Sequence, residues 1–328
     1  MVNFARLIPI IDTEKAKQFT FNKRLALVAC AFSLWTLLIL CMGCSALTFW
    51  EKPPALGTVA AKVQSDVIYS RASGEELKLD VFFPTNTTGR SFPVVMYVHG
   101  GGWQTGSKSM LSMMPGTSEL LRRGYLVVAI NYRLAPQHKF PAMIEDAKCA
   151  VRFLRAQAKD FNLDPAHIGV MGDSSGGHLV ALLGLTYPSA GFEGEGWTDQ
   201  SSHVQAVVDL YGPTDFASGN SNFITLKVIQ DAFGATNTTD PILKSANPVT
   251  YVSSRAPPFL ILHGDHDNLV DLQQSAELDA RLKAAGVDST FVVVTNLAHG
   301  YVPLGLKARP NHAELSTLIA DFFDKNLR

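Results

Sequence analysis

The stretch IGVMGDSSGGHLVALLGL, residues 168–185, decides how the rest of the chain is read. It opens on a short apolar run, 168–171, of the kind that forms a strand buried on both faces. It closes on an apolar segment that reads as a helix. Between them lies Gly172-Asp173-Ser174-Ser175-Gly176-Gly177, which fits G-x-S-x-G with Ser174 at its centre. A serine at that position sits on a strained strand-to-helix turn, and the flanking Gly172 and Gly176 avoid clashes that side chains would make. The N–H of Ser175 then lies at a helix N-terminus, where partial positive charge favours an anion. Ser175 has no glycine two residues before it, so Ser174 is the candidate nucleophile.

Working outward, the same strand-then-helix alternation recurs. Residues 67–69 and the alternating Leu77, Leu79, Val81 and Phe83 flank a turn at Gly74 and predict an antiparallel hairpin. The apolar runs 94–98, 126–130, 206–210, 259–262 and 291–294 predict further strands buried on both faces, as in a parallel sheet. Between them, 141–161 places Met143, Ala147, Ala150, Val151, Leu154 and Ala158 on one helical face. Residues 272–285 follow Asp271 as N-cap and stop at Gly286, and 312–326 form a last helix. Eight strands with interleaved helices predict one α/β domain over 63–328. In such sheets ligands bind at the carboxyl ends of the strands, so chemistry is expected just after each apolar run.

Three more motifs stand there. His99-Gly100-Gly101-Gly102-Trp103 follows 94–98, and its three glycines let backbone N–H groups approach a developing oxyanion. His263-Gly264-Asp265-His266-Asp267-Asn268 follows 259–262 and offers an acid to orient a histidine. Asp265, Asp267 and Asp271 compete for that role, Asp271 being most simply the helix N-cap and Asp265 a turn residue. Ala298-His299-Gly300-Tyr301 follows 291–294 and supplies a base. Of the other histidines, His138 and His203 fall in loops and His178 and His312 on helices. A serine hydroxyl is a poor nucleophile at neutral pH, so a base must take its proton and a carboxylate must fix the tautomer of that base. The density of His and Asp at 263–267 does not predict a metal, because no further ligand cluster at metal spacing accompanies it.

The chain order of serine, acid and then histidine is that of α/β-hydrolases. The string GDSSGG resembles the GDSGG of trypsin-like proteases only superficially, because those are all-β and their His and Asp precede the Ser. From about residue 67 onward the chain resembles the esterase/lipase branch of the α/β-hydrolases. It is similar to hormone-sensitive-lipase-like carboxylesterases, and closer still to bacterial acetyl esterases and feruloyl-esterase-like enzymes. The residues that carry the resemblance are HGGGW at 99–103, NYRLAP at 131–136, FPAMIEDAKCAVRFLR at 140–155, GDSSGGHL at 172–179, HGDHDNLV at 263–270 and AHGY at 298–301. The resemblance implies the α/β-hydrolase fold, a mostly parallel eight-stranded sheet with helices on both faces. It maps the acid to Asp267, beside Ser174 and His299, and the oxyanion donors to the N–H groups of Gly101, Gly102 and Ser175. It implies a small-molecule carboxylic ester, a short-chain acyl ester, as substrate, with no cofactor. An arylformamidase or other amide hydrolase, and a catalytically inactive binding module, are the alternatives. Trp103 and Tyr301 are expected to line the acyl or alcohol pocket, Arg133 and Asp146 to be structural, and 191–202 and 218–222 to be the places for a small cap.

The remaining 50 residues read differently. Residues 1–24 carry five basic and two acidic side chains, while the whole chain of 328 has a formal net charge of −1. An uncharged run, 25–50, follows Lys23 and Arg24 and is long enough to cross a bilayer as a helix. Basic flanks hold that end in the cytoplasm, which exports the rest. A signal anchor, a lipoprotein signal with Cys44 as the lipidated residue, and a cleaved signal are the three readings. A membrane-anchored or exported enzyme is expected from each, joined through a Pro-containing linker, 51–62. Three of the four cysteines fall in this segment, so Cys149 has no partner for a disulfide within the domain. The absence of basic excess argues against nucleic acid, and a composition of 47% hydrophobic and 17% charged residues excludes a disordered chain. Asn86-Thr87-Thr88 and Asn237-Thr238-Thr239 fit the N-glycosylation pattern.

Overall fold

The computed structural model describes residues 56–85, 91–216, 223–305 and 307–328. The segment 25–50 with Cys44, the triplet at Asn86 and the cap position 218–222 lie outside the described residues. Within the predicted linker, Leu56–Val59 forms a helical turn (α1) and the first strand begins at Lys62. Strands β1 (Lys62–Ala72) and β2 (Glu75–Phe83) form the predicted antiparallel hairpin. Next come β3 (Phe92–Val98), α2 (Thr117–Arg122), β4 (Leu126–Ile130), α3 (Ala142–Ala156), α4 (Ala158–Phe161) and β5 (Leu163–Asp173). The chain continues through α5 (Ser175–Leu185), β6 (Ala206–Leu210), α6 (Phe223–Phe233), α7 (Pro241–Ala246), β7 (Phe259–Gly264), α8 (Leu272–Ala284), β8 (Ser289–Val294) and α9 (His312–Leu327).

The eight strands make one sheet in the order β1-β2-β4-β3-β5-β6-β7-β8. The pairs β1–β2 and β2–β4 are antiparallel, and every other pair is parallel. Strands β4, β6 and β7 are buried along their whole length, in keeping with their largely apolar sequences, with Asp209 in β6 and His263 in β7 the polar exceptions. The edge strand β8 departs from the expectation of burial on both faces: Thr290 and Val293 are exposed, and among the described residues no further strand extends the sheet at that edge. Helices α2 and α9 pack together on one face, with α9 against β5, while α3 and α5 pack together and α5 lies against β5 and β6. After β3 the chain steps to β4 on one side and returns to β5 on the other. That reversal makes the carboxyl ends of β3 and β5 the topological switch point, where sheets of this kind form a ligand crevice.

Candidate active site

Ser174 stands at the crevice, between the last residue of β5 and the first of α5, with φ 52° and ψ −120°. This is a strained conformation for a residue with a side chain, and the packing of the turn imposes it. A Cβ on Gly172 would lie 2.4 Å from the Gly176 carbonyl oxygen, and one on Gly176 would lie 2.1 Å from that of Val98. Backbone therefore meets backbone, and the Ser174 N–H donates to Leu210 O of β6 at 2.8 Å.

His299 Nε2 lies 3.0 Å from Ser174 Oγ, and His299 Nδ1 lies 2.7 Å from Asp267 Oδ2. The other oxygen of Asp267 accepts the backbone N–H groups of Leu269 and Val270, each at 2.9 Å. Burial opposes ionisation of Asp267, but the bonds from His263, His299 and the backbone hold its carboxyl well below the usual carboxylate range. The other two candidate acids are engaged elsewhere. Asp271 caps α8 through Gln273 N at 2.9 Å, and Asp265 accepts from His266 Nδ1 at 2.7 Å. A carboxylate acceptor on Nδ1 fixes the neutral tautomer of His299 with its lone pair on Nε2, facing the serine.

Three carbonyls aim the expected oxyanion donors. In a trans peptide the C=O of one residue and the N–H of the next point in opposite directions. Gly100 O accepts from His99 Nδ1 at 2.7 Å, which turns the Gly101 N–H away from that ring. Gly101 O accepts from Thr105 N at 3.0 Å, which turns the Gly102 N–H away from Thr105. Ser174 O accepts from His178 N at 3.0 Å, so the Ser175 N–H points out of the start of α5. Gly101 has φ 113°, a backbone that a side chain would strain.

Groups absent from the sequence expectations hold this loop. Asp173 Oδ1 accepts from Gly100 N at 2.9 Å and from Tyr97 Oη at 2.6 Å, tying the glycine loop to the residue before the serine. Burial pushes the Asp173 carboxyl up, against the pull of those two bonds. His99 stacks on Tyr132 with centroids 4.3 Å apart, and burial lowers its pKa to about 4, so the ring is neutral and donates to Gly100 O. Tyr211, just past β6, sets its ring edge-on to His299 at 4.9 Å.

The expectation for Trp103 and Tyr301 needs correction. They are only 3% and 6% exposed, which leaves little ring surface for a substrate. Both have positive φ, 60° and 57°, and both side chains are packed against other rings. Trp103 Nε1 donates to His178 Nδ1 at 3.2 Å, and the indole sits among Phe216 and Phe233. Tyr301 packs edge-on to Tyr211 at 4.9 Å. The segment 191–202 is a strut rather than a cap. Lys148 and Arg152 of α3 bind Glu193 at 2.9 and 3.0 Å, and Arg152 Nε binds Gly196 O at 2.8 Å. It is α6 that approaches the glycine loop, where Gln104 Nε2 donates to Val228 O at 3.4 Å. Among the described residues no group of three or more His, Cys, Asp or Glu is arranged to hold a metal ion.

A mostly parallel sheet covered by helices, with a serine on the strand-to-helix turn and an acid and a histidine after later strands, is the α/β-hydrolase fold. The BD-FAE family matches residues 79–282, well over half of the chain, and the chain belongs to that family. The esterase LipC of Mycobacterium tuberculosis is 30% identical over 68% of this chain and 56% of its own length. The carboxylesterase NlhH of the same organism is 30% identical over 66% of this chain and 68% of its own. The chain thus spans little more than half of LipC. A solved truncated carbohydrate esterase from gut microbiota superposes with a TM-score of 0.71 at 29% identity, covering 84% of this chain and 99% of that one.

Proposed function

We propose that the protein hydrolyses carboxylic esters, with Ser174 as nucleophile, His299 as general base and acid, and Asp267 as the carboxylate that orients His299. The observation that carries this reading is the unbroken line of hydrogen bonds from Ser174 Oγ through His299 to Asp267. His299 Nε2 takes the hydroxyl proton as Oγ bonds to the ester carbonyl carbon. The carbonyl oxygen gains the electron pair and is met by the N–H groups of Gly101, Gly102 and Ser175. Collapse breaks the bond to the alcohol oxygen, which leaves with the proton from His299. Water then repeats both steps on the acyl-serine and frees the acid. The names of LipC and NlhH support the ester bond. The carbohydrate esterase supports an acylated sugar as one class of substrate, and a short acyl chain follows only from the resemblance to acetyl esterases.

The test is nitrophenyl acetate hydrolysis by purified protein. Ser174→Ala is expected to lower kcat by at least about 10³-fold, and a fluorophosphonate is expected to label wild type at Ser174 but not the variant. An unchanged rate in the variant overturns the mechanism, and an unlabelled wild type points to an inactive binding module. Esters of increasing acyl length, acetylated sugars, feruloyl esters and aryl formamides, run side by side, define the substrate.

A further inference from the structure

A second imidazole lies against Asp267. His263, at the carboxyl end of β7, is fully buried, and its Nε2 lies 3.2 Å from Asp267 Oδ2 and 3.0 Å from Val270 O. Both neighbours are acceptors only, so Nε2 carries the proton. Its Nδ1 lies 2.8 Å from Ser275 Oγ, in the first turn of α8, and Ser275 is equally buried. With Nε2 protonated, Nδ1 is a lone pair and the serine hydroxyl donates to it. The alternative tautomer would turn a lone pair toward a carboxylate and a carbonyl at a fully buried position. The result is one line of groups, Ser275–His263–Asp267–His299–Ser174, with the carboxylate in the middle and both imidazoles on the same oxygen.

We propose that Ser275 and His263 are positioning residues, a second serine–histidine pair that holds Asp267 in place and shares the charge of Oδ2 with His299. The inference rests on the reading of Ser174, His299 and Asp267 as the catalytic groups. Neither Ser275 nor His263 reaches the substrate, since both are fully buried. Their effect passes through the carboxylate. A hydrogen bond from Nε2 draws off part of the negative charge that His299 feels. Without it, Asp267 holds the His299 imidazolium more tightly, and the neutral ring needed to take the serine proton persists only at higher pH. The other ionisable groups facing the line are Tyr211, edge-on to both rings, Asp209 toward His263, and Asp173 toward His299, with Tyr301 beyond Tyr211. All of them are the same in every protein compared, so they form a fixed background for the comparison.

The experiment is the pH dependence of kcat/KM for nitrophenyl acetate, whose acidic limb reports the free enzyme. His263→Leu removes the donor, His263→Gln keeps an amide donor near the place of Nε2, Ser275→Ala frees the tautomer, and Ser275→Thr keeps the hydroxyl. The limb is expected to move up by about half to one pH unit in His263→Leu, and by less in Ser275→Ala. It is expected to return toward wild type in His263→Gln and Ser275→Thr. A merely structural role would lower activity at every pH and leave the limb in place. Fluorophosphonate labelling of Ser174 is measured on each protein, so loss of the nucleophile itself is seen separately. Labelled His263→Leu and Ser275→Ala proteins with the wild-type limb overturn the proposal. Where His263→Leu fails to fold, the Ser275→Ala and Ser275→Thr pair decides it by the same limb.

Discussion

Gly176 has no space for even one more carbon. A Cβ there would sit 2.1 Å from the carbonyl oxygen of Val98 and 2.6 Å from that of His99, and neither atom can move without moving the glycine loop. Gly176→Ala therefore pushes α5 from β3 at the point where nucleophile and oxyanion donors meet. We expect a loss of about 1–3 kcal/mol in stability together with a lower kcat, read from urea denaturation and from steady-state kinetics. Wild-type values in both would contradict the contact. The same scale shows where sequence was informative. Ser174 and His299 were legible because chemistry restricts where a nucleophile and its base can stand after strands. Asp267 was one of three acids within seven residues, and only the family motif separated it; hydrogen bonds now place Asp265 in the turn and Asp271 at the cap. Trp103 and Tyr301 are not legible as buried residues because each stands beside a site motif, while the rings that bury them, Phe216 and Phe233 for Trp103 and Tyr211 for Tyr301, come from distant segments. Asp173, His178 and His263 stood inside quoted motifs, yet their roles depend on partners far away in the chain.

The connection from β4 to α3 is held by an ion pair, which bears out the structural reading of Arg133 and Asp146. Arg133 Nε lies 3.0 and 2.9 Å from the two Asp146 oxygens, Nη2 lies 2.7 Å from Oδ1, and the Arg133 N–H donates to Oδ2 at 2.8 Å. Both side chains are largely buried. Removing one partner leaves the other charge in a poor solvent, so Asp146→Ala is expected to cost about 3 kcal/mol, with Asp146→Asn milder. Chemical denaturation measures it, and a loss below about 1 kcal/mol would mean that water reaches the guanidinium in the variant. Elements with one strong signal were read well: β4 and β6 fall on the predicted residues, and Asp271 opens α8 as expected. Helix α6 was missed because Phe-Ile-Thr-Leu-Lys-Val-Ile is rich in β-branched residues and shows no clear helical period. Helix α2 is too short, at six residues, for periodicity to show. The predicted helix over 141–161 breaks at Gln157, into α3 and α4.

For the whole molecule, the buried ionisable groups set a pH dependence that no single element reveals. His99 and His178 are held neutral by burial, each with its pKa lowered to about 4. In the unfolded chain a histidine takes up its proton near pH 6.5. Between those values the unfolded state binds more protons, so the stability present at pH 7 is lost as pH falls through 6.5 toward 4. Asp209 works in the opposite sense. Burial pushes its carboxyl up to about 6, so the folded state binds the extra proton and gains as pH falls below that value. At pH 6 two histidines act against one half-titrated carboxyl, and the histidines prevail. From these three groups the net loss from pH 7 to pH 6 is roughly 1 kcal/mol, or about 2 °C in Tm for a domain of this size, with Asp173 acting in the sense of Asp209 and His203 in that of the two histidines. The contribution of His178 can be isolated. Its Nδ1 accepts from Trp103 and its Nε2 lies 2.8 Å from Ala246 O, and a glutamine amide offers one acceptor and one donor without titrating. His178→Gln is therefore expected to remove about half of the histidine contribution, roughly two-thirds of the net fall in Tm between pH 7 and 6. Thermal melts of both proteins across that interval measure it, and an equal fall in the variant would show that the pH dependence arises elsewhere.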